Sequence, residues 1–162
     1  MPSAQIVGKR GENLFRVMIT QWCGGEQWFE ETFDGATAEG LDFTVYLINP
    51  SVFKACFRVQ VKTAFKVKRY SGKGRERKIL VRLRQEDARK IGTMAMPAYV
   101  VGIDVWTGEG YIRPVLSGAT KGFTGISTRS RLNCRAIRKL WQEVEDFWNQ
   151  RSGGFDSSEF EE

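Results

Sequence analysis

The sequence contains no histidine. That absence removes every mechanism built on a histidine base, nucleophile or metal ligand: Ser-His-Asp hydrolases, zinc hydrolases of the HExxH kind and histidine-based nucleases. Hydrolytic chemistry must then rest on carboxylates, lysine and a hard metal ion. Long apolar runs are missing too, for none approaches the roughly 18 residues of a membrane span. The opening MPSAQIVGKRGENLF has no apolar signal-peptide core, so a cytoplasmic protein without membrane attachment is expected. The cysteines, Cys23, Cys56 and Cys134, are three in number and far apart. Such spacing suggests neither a disulfide framework nor a zinc site, and small buried hydrophobes are expected instead.

What is present is an ordinary globular composition with an uneven charge. The chain of 162 residues, 41% hydrophobic and 27% charged, suffices for one compact domain with a real core. Its net charge is +6, yet residues 58 to 90 hold thirteen Lys or Arg against Glu76, Glu86 and Asp87, a local net of +10. The last twelve residues, RSGGFDSSEFEE, carry a net of −3. A basic field of that density attracts polyanions, nucleic acid first among them, although a merely soluble basic surface is the competing reading. The division expected is a domain over 1–150 and an acidic flexible tail over 151–162.

Along the chain, GENLFRVMITQWC, from Gly11 to Cys23, has apolar residues at helical spacing, with GG at 24 and 25 as its stop. Strands are expected in EQWFEETF, in LDFTVYLI (41–48) and in CFRVQVKTAF, the last two joined by NPSVFKA. KRYSGKGRERK reads as a loop or flexible hairpin tip, ILVRL as a strand, RQEDARKIG as a short helix and PAYVVGIDVW as a buried strand that turns at TGEG into YIRPVL. A final helix over 129–148, capped by Ser127 or Thr128, carries Leu132, Ile137, Leu140, Val144 and Phe147 on one stripe. The order gives an α+β or mixed α/β layered domain. Trp106, Trp141 and Trp148 are expected in the core.

In FRVQVKTAF, residues 57–65, Phe57, Val59 and Val61 alternate with Arg58, Gln60 and Lys62, the pattern of a half-buried strand. Folding 41–48 onto 56–64 about Ser51 and Val52 sets Asp42 opposite Lys62 with Gln60 diagonal, while Phe43, Val45 and Leu47 join the apolar face. A carboxylate, an amide oxygen and a backbone carbonyl are hard ligands suited to Mg²⁺, and a neighbouring ammonium can hold the attacking water or offset charge on a phosphate. A solvated Asp-Lys ion pair is the plainer account of the same residues.

The order GLDF (40–43), a turn, then VQVK (59–62) resembles the PD-(D/E)XK nuclease superfamily in its Gln-x-Lys variant, similar to the Mrr-like branch and to small prokaryotic defence-associated domains. The resemblance extends to the N-terminal GE, FRVQVKT, the strand pair in YVVGIDVWTGEGYIRPV and the terminal amphipathic helix. It implies a restriction-endonuclease-like fold, a central mixed β-sheet of about five or six strands flanked by helices. It also implies roles: Asp42 as principal ligand of Mg²⁺ (or Mn²⁺), Gln60 giving an amide oxygen, the Val61 backbone carbonyl completing the protein ligands, Lys62 positioning the water, and Glu12 reaching the metal or its water. Glu12 is read as lying in a first helical turn, where the dipole favours a glutamate in any case.

The function these readings point to is hydrolysis of phosphodiester bonds in DNA, rather than RNA, within an anti-phage defence or restriction system. Lys66, Lys68, Arg69, Lys73, Arg75, Arg77 and Lys78 would contact the phosphate backbone. With no separate recognition domain, a partner subunit or homodimerisation would choose the target. The neutral Gln60 removes one negative charge from the metal site, so the alternative is a catalytically inactive nuclease-fold subunit that binds nucleic acid or a partner protein.

Overall fold

A computed structural model describes residues 2–35, 41–150 and 154–162. The architecture is mixed α+β, with three α-helices and a five-stranded mixed sheet at its centre. In chain order the elements are α1 (Ala4–Ile19), a two-residue hairpin of β1 (Trp22–Cys23) and β2 (Glu26–Gln27), β3 (Phe29–Phe33), β4 (Phe43–Leu47) and β5 (Cys56–Ala64). There follow β6 (Tyr70–Ser71), β7 (Lys78–Ile79), α2 (Gln85–Gly92), β8 (Ala98–Asp104), β9 (Gly110–Pro114), β10 (Ile126–Ser127) and α3 (Cys134–Gln150). The main sheet runs β3-β4-β5-β8-β9, antiparallel except for the parallel pair β5 and β8, which is joined through α2.

Both faces of this sheet are covered, so β8, AYVVGID, is buried throughout and needs no alternation. On one face α1 and α3 pack Phe15, Ile19, Ile137, Leu140 and Val144 against Phe43, Phe57, Val59, Tyr99 and Val101. On the other, α2 and the small sheet β10-β7-β6 bring Ile91, Ile79, Val81 and Ile126 onto Ala64, Ala98 and Val100. Because side chains alternate along a strand, Gln60 and Lys62 share this second face with Ala64.

α1 begins seven residues before the expected start at Gly11, with Ser3 accepting a hydrogen bond from Ile6 N–H at its N-terminus. It ends at Ile19, short of Cys23. The Gly24-Gly25 pair, both at positive φ (68° and 79°), makes the β1-β2 turn, for which glycine carries no steric penalty. α3 starts at Cys134 rather than 129, after a 3₁₀ turn at Thr128–Ser130. Its cap is Asn133, whose side-chain oxygen accepts from Ala136 N–H at 3.0 Å. Thr128 instead gives its N–H to the Arg77 carbonyl.

Two expectations about the whole chain are corrected. Cys23 and Cys134 form a disulfide with Cα atoms 5.4 Å apart, tying the β1-β2 hairpin to the first turn of α3, and of the three cysteines only Cys56 is a buried free thiol. Sequence distance hid the bond, since 111 residues separate its ends. The described part of the expected tail, 154–162, is packed: Phe155 and Phe160 are 3% and 5% exposed and stack about the Tyr99 ring. Glu162 pairs with Arg113 and Lys78.

Candidate functional site

The β4-β5 hairpin is closed by Leu47 N–H donating to the Ala55 carbonyl at 3.0 Å, and Ser51 N–H is held by the buried Glu145 of α3. That closure sets Phe43 opposite Val59 and Val45 opposite Phe57. The expected pairing of Asp42 with Lys62 is therefore two residues out. The regular ladder ends at Phe43 and Val59, because Asp42 N–H also turns to the Val59 carbonyl, so that Asp42 and Phe43 both oppose Val59 in a β-bulge. A slip of two leaves every side chain on its face, which is why the alternation could not detect it.

β4 stops at Phe43 while β5 runs on to Ala64, and Asp42 sits in the fork. Its N–H donates to the Val59 carbonyl at 2.9 Å, and its Oδ2 accepts from Val61 N–H at 2.7 Å. The N–H and C=O of one strand residue leave the same edge, so the Val61 carbonyl faces the same fork. Glu12 arrives from the other side. It lies mid-helix in α1, not in a first turn, so the helix dipole does not account for it. Gly11 brings that turn of α1 onto β5, because a Cβ at this position would collide with Thr63 Cγ2.

The electrostatics record the convergence. Burial raises the Asp42 carboxyl from 3.8 to about 6; donation by Val61 N–H opposes this, the negative charge of Glu12 adds to it, and Lys62 counters. Gln60 is 7% exposed and its Oε1 has no hydrogen-bond partner. An orphaned amide oxygen under cover is costly and is a ready ligand. The oxygen donors at and beside the fork are of three kinds, carboxylate (Asp42, Glu12), amide (Gln60) and backbone carbonyl (Val61), the hard donor types that suit Mg²⁺ or Mn²⁺. Among the described residues no group of three His, Cys, Asp or Glu is placed to hold a metal ion.

Sequence reasoning missed Asp87. It lies in the first turn of α2, 8% exposed and bonded by Arg84 at 3.0 Å, and its carboxyl is lowered by that bond, then by the charges of Arg84 and Lys62. The charge of Lys62 thus acts on both Asp42 and Asp87. Only the crossover of α2 back over the sheet brings the two together.

The basic residues separate into two sets. Lys66, Lys68, Lys73 and Arg75 are exposed and, among the described residues, without a pairing partner of their own, and Arg77 is exposed as well but engaged. Arg69 is paired with Asp104 at 3.0 Å, Arg77 lies over the Tyr70 ring and Lys78 reaches Glu162 at 3.6 Å, so these three hold the β6-β7 hairpin in place. No family model, no curated protein and no solved structure matches this chain. None of its described helices is long and apolar enough to cross a membrane.

Proposed function

We propose that this chain is a metal-dependent nuclease of the PD-(D/E)XK kind that hydrolyses phosphodiester bonds in DNA. The observation that carries the reading is the fork at the end of β4, where Asp42 is held by Val61 N–H and feels the charges of Glu12 and Lys62, with the unpartnered Oε1 of Gln60 on the residue next to Val61. The order α1, antiparallel β3-β4-β5, α2, parallel β8 agrees with the restriction-endonuclease-like arrangement and supports it. Asp42, Gln60, the Val61 carbonyl and Glu12 would hold Mg²⁺ or Mn²⁺, which supplies a Lewis acid for the phosphate and lowers the pKa of a bound water. Lys62 donates to the attacking water and offsets charge growing on the phosphate oxygens. Lys66, Lys68, Lys73 and Arg75 take the flanking backbone as point charges. A role in anti-phage defence, with a second copy or a partner subunit choosing the target, completes the proposal.

The test is incubation of purified protein with supercoiled plasmid, linear duplex and single strands in Mg²⁺, Mn²⁺ or EDTA. Cleavage should require metal and fall at least about 100-fold in Asp42→Ala and in Lys62→Ala. Binding without cleavage, unchanged in both variants, would replace the enzyme with a nucleic-acid-binding subunit of the same fold.

A further inference from the structure

Beyond the fork, both parallel strands end at one buried carboxylate. Asp104, the last residue of β8, is fully buried and lies beside Ala64, the last residue of β5. Its Oδ1 accepts from Trp106 N–H at 2.9 Å and pairs with Arg69 Nε at 3.0 Å, while its Oδ2 accepts from the Tyr70 hydroxyl at 2.9 Å. Burial by itself would raise this carboxyl; the bonds from Trp106, Arg69 and Tyr70 outweigh it and hold the group below the usual range. One anion therefore fixes two things at once, the β8-β9 turn and the bend at residues 65–69 that leads into β6.

The turn presents Trp106. Its ring is not in the core, as its apolar neighbours in sequence suggested, but 72% exposed. It is also pinned, because Nε1 donates to the Phe65 carbonyl at 3.1 Å. The indole is thus held at both its backbone and its ring nitrogen while most of the residue stays open to water, a fixed aromatic surface rather than a mobile one. Its surroundings are cationic. Lys66 and Lys68 flank the fully exposed Val67 just beyond Phe65, and Arg10 of α1 reaches the Val105 carbonyl at 3.4 Å. Two of the three acidic groups on these elements are engaged, Asp104 as above and Glu109 with Arg131 at 3.1 Å and the Tyr111 hydroxyl at 2.9 Å, while the third, Glu12 of α1, acts on Asp42 at the fork.

We infer that Trp106 is a stacking platform for an unpaired base, and that Lys66, Lys68 and Arg10 hold the phosphates on either side of that base. Phosphate charge matches the cations, and an exposed ring with a free face needs a base outside a duplex stack. Phe65 lies three residues past Lys62, about 10 Å of extended chain, the length of about three stacked nucleotides. This deepens the nuclease reading and rests on it for what happens at the fork: the favoured substrate is DNA with single-stranded nucleotides beside the scissile bond.

Binding can be read without cleavage. A fluorescently labelled single strand and a blunt hairpin of the same sequence are titrated in EDTA against the wild type, Trp106→Ala and Trp106→Phe. The single strand should bind more tightly than the hairpin. Trp106→Ala should weaken it about 5- to 100-fold while Trp106→Phe keeps most of the affinity. Single-strand binding should also quench tryptophan emission in the wild type more than in Trp106→Phe. Equal affinity for both probes, or full affinity in Trp106→Ala, overturns the inference, as does binding of a protein partner but neither DNA. Because binding is read in EDTA and cleavage in a separate assay with metal, loss of cleavage in Asp42→Ala bears on the fork alone, and loss of binding in Trp106→Ala on the platform alone.

Discussion

Asp42 has two jobs that conflict without a cation. It closes the open end of β5 by accepting from Val61 N–H, and it does so half-buried beside the negative charge of Glu12. The folded carboxyl keeps its proton up to about pH 6, whereas the unfolded chain releases it near 3.8. Between those values the folded state binds more protons, so stability falls as pH rises and the loss is complete above pH 6. Screening at a partly exposed group limits the effect to about 1–2 kcal/mol. Glu143, raised to about 7 by burial, adds a decline of the same sign, so the informative comparison is between variants. In EDTA, urea midpoints of the wild type should drop between pH 4 and pH 7.5 by more than those of Asp42→Asn. Equal drops would mean that Asp42 is not under this tension. The residue types were legible in the sequence, since Asp42, Gln60, Lys62 and Glu12 all stand at or next to the fork. The pairing was not, because alternation defines a face and leaves shifts of two undetected.

Among the elements, the contact of α1 with β5 decides whether Glu12 can take part. Gly11 is the point of closest approach, and an added Cβ would strike Thr63. Gly11→Ala should therefore cost about 1–3 kcal/mol through overpacking, despite the better helix propensity of alanine. Gly8→Ala, one turn earlier, meets nothing within 4 Å and should gain about 0.5–1 kcal/mol. Urea unfolding of the two variants gives opposite shifts if the contact governs, and similar shifts if propensity does. The period-3.6 pattern located this helix but not its beginning, because Ile6 and Val7 stand in a polar stretch whose only start signal is Ser3. In the same way Thr128 reads as a cap by composition but serves the Arg77 carbonyl.

At the scale of the whole molecule, the disulfide joins residues 111 apart and fixes α3 to the hairpin that follows α1. Closing so long a loop restricts the unfolded chain by about 2–4 kcal/mol. Urea midpoints measured with and without a reducing agent should differ accordingly, and Cys134→Ser should show the reduced value under both conditions. Coincident midpoints would leave α3 held by its apolar stripe and by Trp141 and Trp148, whose ring nitrogens donate to the Ile48 and Cys56 carbonyls. The 154–162 segment belongs to the same scale. Its charge reads as a solvated tail, while its two phenylalanines complete a cluster around Tyr99 that exists only once β8 and α3 are in place.

The sequence by itself determined the layered α+β class, the hairpin and the face that carries the polar residues, because these follow from local periodicity and turn chemistry. Excluding histidine catalysis likewise needed only the letters. Tertiary structure decided the rest: the register and bulge that set Asp42 against Val59 and Val61, the approach of Glu12, the Cys23–Cys134 bond, the partners taken by Arg69, Arg77 and Lys78, and the exposure of Trp106. Each depends on groups far apart in the chain, whose encounter is fixed by how the layers pack.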